Sequence, residues 1–170
     1  IIGTARTLEK ATEAARQNGG SITPLACELS DFASVQKCAE QIMALPDPVD
    51  GLICNAGIMA LPKLELGNGV EQQFNTNHLG HFILVHNLME KIKQAEQGRI
   101  VMLSSLAHKM APLKGIDFDN LDGHKSYRDW AFYGQSKLAN LLTAVAAAEH
   151  LKASRATANA VHPGIILTNL

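Results

Sequence analysis

Short apolar runs alternate along this chain with longer stretches whose apolar residues recur every three or four positions. Residues 1–4 read as the end of a buried strand, and Leu8–Asn18 as a polar helix stopped by Gly19-Gly20. Residues 22–29 form a second strand. Ser30-Asp31 caps a helix whose Val35, Cys38, Ile42 and Leu45 keep helical spacing, ended by Pro46 and Pro48. Residues 49–54 are a third strand running into a loop at Asn55-Ala56-Gly57. Residues 70–94 read as one long helix with Phe74, Leu84, Leu88 and Ile92 on one side, followed by a fourth strand at Arg99–Leu103. After a polar excursion over residues 107–129, a helix carrying Tyr133 runs to about Leu151, with Leu138, Leu141, Leu142 and Val145 predicted inward. Thr157–Val161 is a fifth strand, closed by His162-Pro163-Gly164.

Strands alternating with helices predict an α/β protein, a doubly wound parallel sheet with helices on both faces. At 170 residues the chain is one domain, residues 1–170, long enough for a real core. Such sheets bind ligands beyond the carboxyl ends of their strands. Asn55-Ala56-Gly57, Ser104-Ser105 and Pro163-Gly164 all fall at such ends, so a site is predicted there. The composition is 46% hydrophobic and 18% charged with a formal net charge of −1, and no basic run is interleaved with aromatics. Nucleic acid and anionic membranes are therefore poor partners. No stretch is apolar for long enough to span a bilayer. Three scattered cysteines, Cys27, Cys38 and Cys54, suit a reducing, cytoplasmic setting and suggest neither a disulfide framework nor a zinc site. His78 and His81, with His86 beyond, lack a carboxylate or cysteine at ligand spacing, so no metal is expected.

The richest chemistry lies in Tyr133-Gly-Gln-Ser-Lys137. A tyrosine four residues before a lysine on a helix shares its face, one turn away. The ammonium is expected to favour the phenolate and lower the tyrosine pKa towards neutral. Tyr133 is then a general acid/base for a carbonyl oxygen, with a serine hydroxyl from the Ser104-Ser105 pair as hydrogen-bond donor. Such groups interconvert an alcohol and a carbonyl. The chain has no G-x-S-x-G elbow that would make a serine a hydrolase nucleophile.

Together these residues resemble the short-chain dehydrogenases/reductases over nearly the whole chain. Asn55-Ala56-Gly57 looks like the family's N-N-A-G turn, with Cys54 in place of the first Asn. Asn77, in the run Asn77-His78-Leu79-Gly80-His81-Phe82, resembles the tetrad asparagine. Ser105 resembles the catalytic serine, and Tyr133 with Lys137 the Y-x-x-x-K pair. Pro163-Gly164 and Thr168 resemble the P-G-x-x-x-T segment on the nicotinamide side. The N-H-L-G-H-F run, residues 118–121 and Y-G-Q-S-K-L-A-N are similar to the retinol-dehydrogenase-like and WW-domain-oxidoreductase-like branch.

The resemblance implies a catalytic set of Asn77, Ser105, Tyr133 and Lys137. Tyr133 would exchange the proton, Ser105 would orient the substrate oxygen, Lys137 would also hold the nicotinamide ribose, and Asn77 would anchor a proton-feeding water. Cofactor contacts would come from Arg6, Glu28, Leu29, Asn55, Ala56, Gly57, Tyr133, Lys137, Pro163, Gly164 and Thr168. Glu28-Leu29 stands where the family usually has Asp-Leu near the adenine. The run Thr4-Ala5-Arg6-Thr7 has a guanidinium and no carboxylate, so NADP(H) is expected, with NAD as the alternative. The implied strand order is 3-2-1-4-5-6-7. The chain would open at the second strand, lacking the first strand with its Gly-rich turn, and would stop before the substrate lid and last strand. The expected function is oxidoreduction of a small, apolar alcohol or carbonyl. The alternatives are a non-catalytic nucleotide-binding or scaffolding module, or an inactive fragment. A homo-oligomer is compatible with the sequence and not selected by it.

Overall fold

A computed structural model describes residues 1–19 and 21–164. Strand β1 (Ile2–Ala5) leads into helix α1 (Leu8–Asn18), whose first turn is capped by the Thr7 hydroxyl on the Lys10 N–H at 3.3 Å. Strand β2 (Thr23–Ala26) pairs with β1 in parallel, which a helix-length crossover permits and a tight turn does not. Asp31 then caps α2 (Phe32–Met43) by accepting from the Ala33 and Ser34 N–H groups. Val35, Cys38 and Ile42 are buried as their spacing predicted, whereas Leu45 falls beyond the helix end and is exposed. Lys91 closes that end, donating its buried ammonium to the carbonyls of Met43 and Leu45.

Strand β3 (Gly51–Cys54) ends at the Asn55 turn. The single helix predicted over residues 70–94 is three pieces of one rod. A short antiparallel hairpin, β4 (Leu66–Gly67) with β5 (Val70–Glu71), precedes it. Then come α3 (Gln72–Phe74), a π turn over Asn75–Leu79, and α4 (Gly80–Lys93). The π turn is the feature that periodicity cannot show, because one extra residue per turn is a local departure. Strand β6 (Arg99–Leu103) follows, then short 3₁₀ turns at Leu106–Met110 and Phe118–Asn120. Helix α5 (Asp129–Leu151) and β7 (Thr157–Val161) complete the fold.

The strands form two parallel sheets, β1-β2 and β3-β6-β7, with no strand pairing between them among the described residues. These match the segments 3-2 and 4-5-6 of the expected order, and no described strand holds the central position. Helix α1 packs on β1 and β2, while α2 packs on α4, α4 on β3, and α5 on β6 and β7. The core joins the two parts: Cys27 and Leu29, after β2, share it with Leu84, Leu88, Ile100, Met102 and Leu151. The strands alternate as a half-covered sheet should, with Cys54 buried and Ile53 71% exposed.

The inward face of α5 differs from expectation. Ala139, Asn140, Thr143, Ala144, Ala147 and Leu151 are buried, whereas Leu142 and Val145 are exposed. Small residues let the helix lie close on β6 and β7, so size rather than hydrophobicity chose the face.

Candidate active site

Helix α5 brings Tyr133 and Lys137 to the carboxyl end of β6. Both are buried, and the Lys137 ammonium lies 5.5 Å from the centre of the Tyr133 ring. It donates to the Leu103 carbonyl, the last of β6, at 3.2 Å. Burial pushes the Lys137 pKa down to about 8, because the charged form loses solvation. Burial also pushes Tyr133 up, and the neighbouring Ser105 side chain only partly opposes it. This corrects the expected downward shift: desolvation of the phenolate is the largest influence on Tyr133. Tyr133 therefore stands as a neutral phenol at pH 7, the form that gives a proton.

The structure separates the two serines. Ser104 is buried and its Oγ donates to the Lys137 carbonyl at 2.8 Å, tying β6 to α5. Ser105 caps the following 3₁₀ turn by accepting from the Ala107 N–H at 3.2 Å, and its side chain meets Tyr133. That cap uses a lone pair and leaves the Ser105 O–H free to donate. Gly134 is what allows this proximity. A Cβ there would collide with the Ala107 carbonyl and meet the Ala111 amide at 3.0 Å, so only glycine lets the 3₁₀ turn lie on α5.

Asn77 is buried in the π turn. Its amide is engaged on both sides: Oδ1 accepts from the Ile58 N–H at 2.8 Å, and Nδ2 donates to the Ile58 carbonyl at 2.9 Å and Ser136 Oγ at 3.0 Å. It thus pins the loop after β3 against α5. A Cβ on Gly57 would lie 2.9 Å from Asn77 Oδ1 and 3.5 Å from Lys137 Nζ, so the bare backbone of that turn passes beside the ammonium. Further out, Gln73 accepts from the Ala60 N–H and donates to Glu71, Tyr127 and the Asp129 carbonyl. The Tyr127 hydroxyl donates to the Leu61 carbonyl at 2.6 Å. This network positions the mouth of the site and had no signature in the sequence, since its members lie up to 66 residues apart. Asn140 and Ser136 were likewise unanticipated, although they stand inside the Y-G-Q-S-K-L-A-N run.

Asn55 and Ala56 are exposed at the end of β3, and Arg6 is exposed just beyond β1 with no ion pair among the described residues. Pro163 and Gly164 follow β7, Gly164 with φ of 92°. Glu28 spends its carboxylate locally, accepting from the Ser30 N–H and hydroxyl, and Leu29 is core. Thr168 lies outside the described residues. His78 and His81 serve the polar network: His81 Nδ1 meets the Asn77 carbonyl at 2.9 Å, and His78 Nδ1 meets Asn140 Oδ1 at 3.2 Å. All three cysteines are free and buried.

The fold thus sets a Tyr-Lys pair on the helix after β6 beside the serine that follows that strand. The family model for short chain dehydrogenases matches residues 1–117. The chain belongs to the short-chain dehydrogenase family. It is 43% identical over 153 residues to the Brassica napus short-chain dehydrogenase TIC 32 A, chloroplastic, covering 86% of this chain and 48% of that one. It is 38% identical to human retinol dehydrogenase 13 over 176 residues, all of this chain and 52% of the relative. The chain thus spans about half the length of the curated relatives it matches. Among solved structures, a Mycobacterium paratuberculosis protein of uncharacterised function superposes with a TM-score of 0.83 at 36% identity, over 99% of this chain and 60% of that one. A metagenomic short-chain oxidoreductase solved with NADP shares the fold, with a TM-score of 0.73 at 24% identity, over 97% of this chain and 70% of that one. No described helix is long and apolar enough to cross a membrane.

Proposed function

We propose that the protein is an NADP(H)-dependent oxidoreductase that interconverts a small alcohol and its carbonyl, with Tyr133 as general acid/base. One observation carries this reading: Tyr133, Ser105 and the buried Lys137 come together at the carboxyl end of β6. The residues present suit a dinucleotide. The bare Gly57 backbone leaves room beside Lys137, and exposed Arg6 at the end of β1 offers a fork for a 2′-phosphate where a carboxylate would favour NAD. Asn55, Ala56, Gly57, Lys137, Pro163 and Gly164 would line the rest. When bound, the nicotinamide supplies the hydride that reaches or leaves the carbonyl carbon. In reduction, Tyr133 Oη gives its proton to the carbonyl oxygen while Ser105 Oγ–H donates to the same oxygen. In oxidation Tyr133 takes the alcohol proton back as the hydride leaves the carbon, with Ser105 still donating to the oxygen. The buried Lys137 ammonium stabilises negative charge on Tyr133 during either transfer.

The test is Tyr133→Phe in the full-length protein, with the unsubstituted protein assayed in parallel using NADPH and NADH. Turnover should fall at least ~10²-fold, because a positioned acid/base is lost. NADPH affinity should hold, since the hydroxyl acts on the substrate oxygen, and NADPH should be preferred. A variant that retains most of its turnover removes Tyr133 from the chemistry.

A further inference from the structure

Asn140 lies one turn beyond Lys137 on α5 and is fully buried. Its Nδ2 donates to the Asn77 carbonyl at 3.0 Å and to the Leu103 carbonyl at 3.1 Å. Leu103 O is the atom that also receives the Lys137 ammonium. Asn77 O receives His81 Nδ1 as well, so this carbonyl has two donors for its two lone pairs. Because both partners of Nδ2 are pure acceptors, the amide has one allowed orientation, with Oδ1 facing His78. Oδ1 only accepts, so His78 must carry its proton on Nδ1. Burial holds the His78 pKa down to about 4, in keeping with a neutral ring. One side chain therefore joins the end of β6, the π turn and α5 at a point directly behind Lys137.

We propose that Asn140 is a positioning residue for the reaction, fixing the Leu103 carbonyl that holds Lys137 and anchoring the Asn77 backbone to the same point. This rests on the functional reading above. A buried amide with every polar atom bonded is costly to arrange, and a packing role alone would be filled by Leu or Ala. The geometry makes the height of the ammonium beneath Tyr133 depend on this amide.

The test is Asn140→Asp in the full-length protein, which keeps the shape and removes both N–H donors. Turnover is expected to fall at least ~10-fold with KM for substrate and NADPH changed less than ~3-fold, the split of an interaction felt in the transition state. The pH at half-maximal alcohol oxidation should move upwards, because a carboxylate beside Lys137 disfavours the phenolate. Asn140→Ser, which retains one donor, should fall between Asp and the unsubstituted protein in both readouts. Turnover and pH midpoint both unchanged in a folded Asp variant would overturn the proposal. So would a loss of turnover with the midpoint unmoved, which is what a packing defect gives, or a failure of both variants to fold, which makes Asn140 a strut. Activity retained in Tyr133→Phe instead overturns the functional reading, and this proposal with it.

Discussion

Lys137 is a cation whose charged form the fold disfavours. Its pKa near 8 lies below the ordinary 10.5, so the unfolded chain binds its proton more tightly than the native one. Below pH 8 this opposes folding by about 3 kcal/mol, and the penalty fades as pH rises from 8 towards 10.5. Lys137→Met should therefore be inactive yet melt higher at pH 7, with the advantage shrinking as the pH approaches 10. Thermal unfolding of both proteins across that range checks it; a constant difference would mean that the lysine is not desolvated. Such a trade of stability for a poised charge is common at active sites.

At the scale of elements, the site depends on how closely the 3₁₀ turn Leu106–Met110 lies on α5. Gly134 is the contact point, because its missing Cβ makes room for the Ala107 carbonyl. Gly134→Val should force the turn outward and carry Ser105 away from Tyr133. Overpacking of this kind costs about 1–3 kcal/mol, and misplacing a reacting group can cost ~10²-fold in rate. The melting temperature and turnover should both drop, and Gly134→Ala should lie between, since Ala recovers up to ~1 kcal/mol of helix propensity. Undiminished turnover in the Val variant would show that the turn is compliant.

For the whole molecule, the decisive feature is the separation of β1-β2 from β3-β6-β7. The outer edges of β1 and β3 make no strand pairs among the described residues. Both edges carry mainly exposed or half-buried residues, so they stand open to pairing with another chain. A polypeptide of residues 1–170 alone should thus unfold without a sharp transition, or associate through its strand edges, and NADPH should not raise its melting temperature. Circular dichroism with light scattering and an NADPH titration decides it. A cooperative monomeric transition with saturable binding would show that the two sheets sustain each other through α2, α4 and the shared core.

The sequence by itself determined the order of elements, because buried strands and amphipathic helices write their periods locally. Its short-range spacing also placed Tyr133 and Lys137 on one face, and its turn residues put Asn55, Ser105 and Pro163 at strand ends. Only the tertiary structure decided what depends on distant neighbours. It chose Ser105 over Ser104, because the 3₁₀ turn caps on one and α5 claims the other. It turned Leu142 and Val145 outward on α5, because small residues permit the closer approach to β6 and β7. It gave Tyr133 an upward rather than a downward pKa shift, since burial is a property of the folded surroundings and not of the i, i+4 pair. It also gave Asn140 its partners, which come from β6 and from a π turn more than 60 residues away. Hydrogen-bond satisfaction in a core is settled only when every neighbour is in place, and no local pattern encodes it.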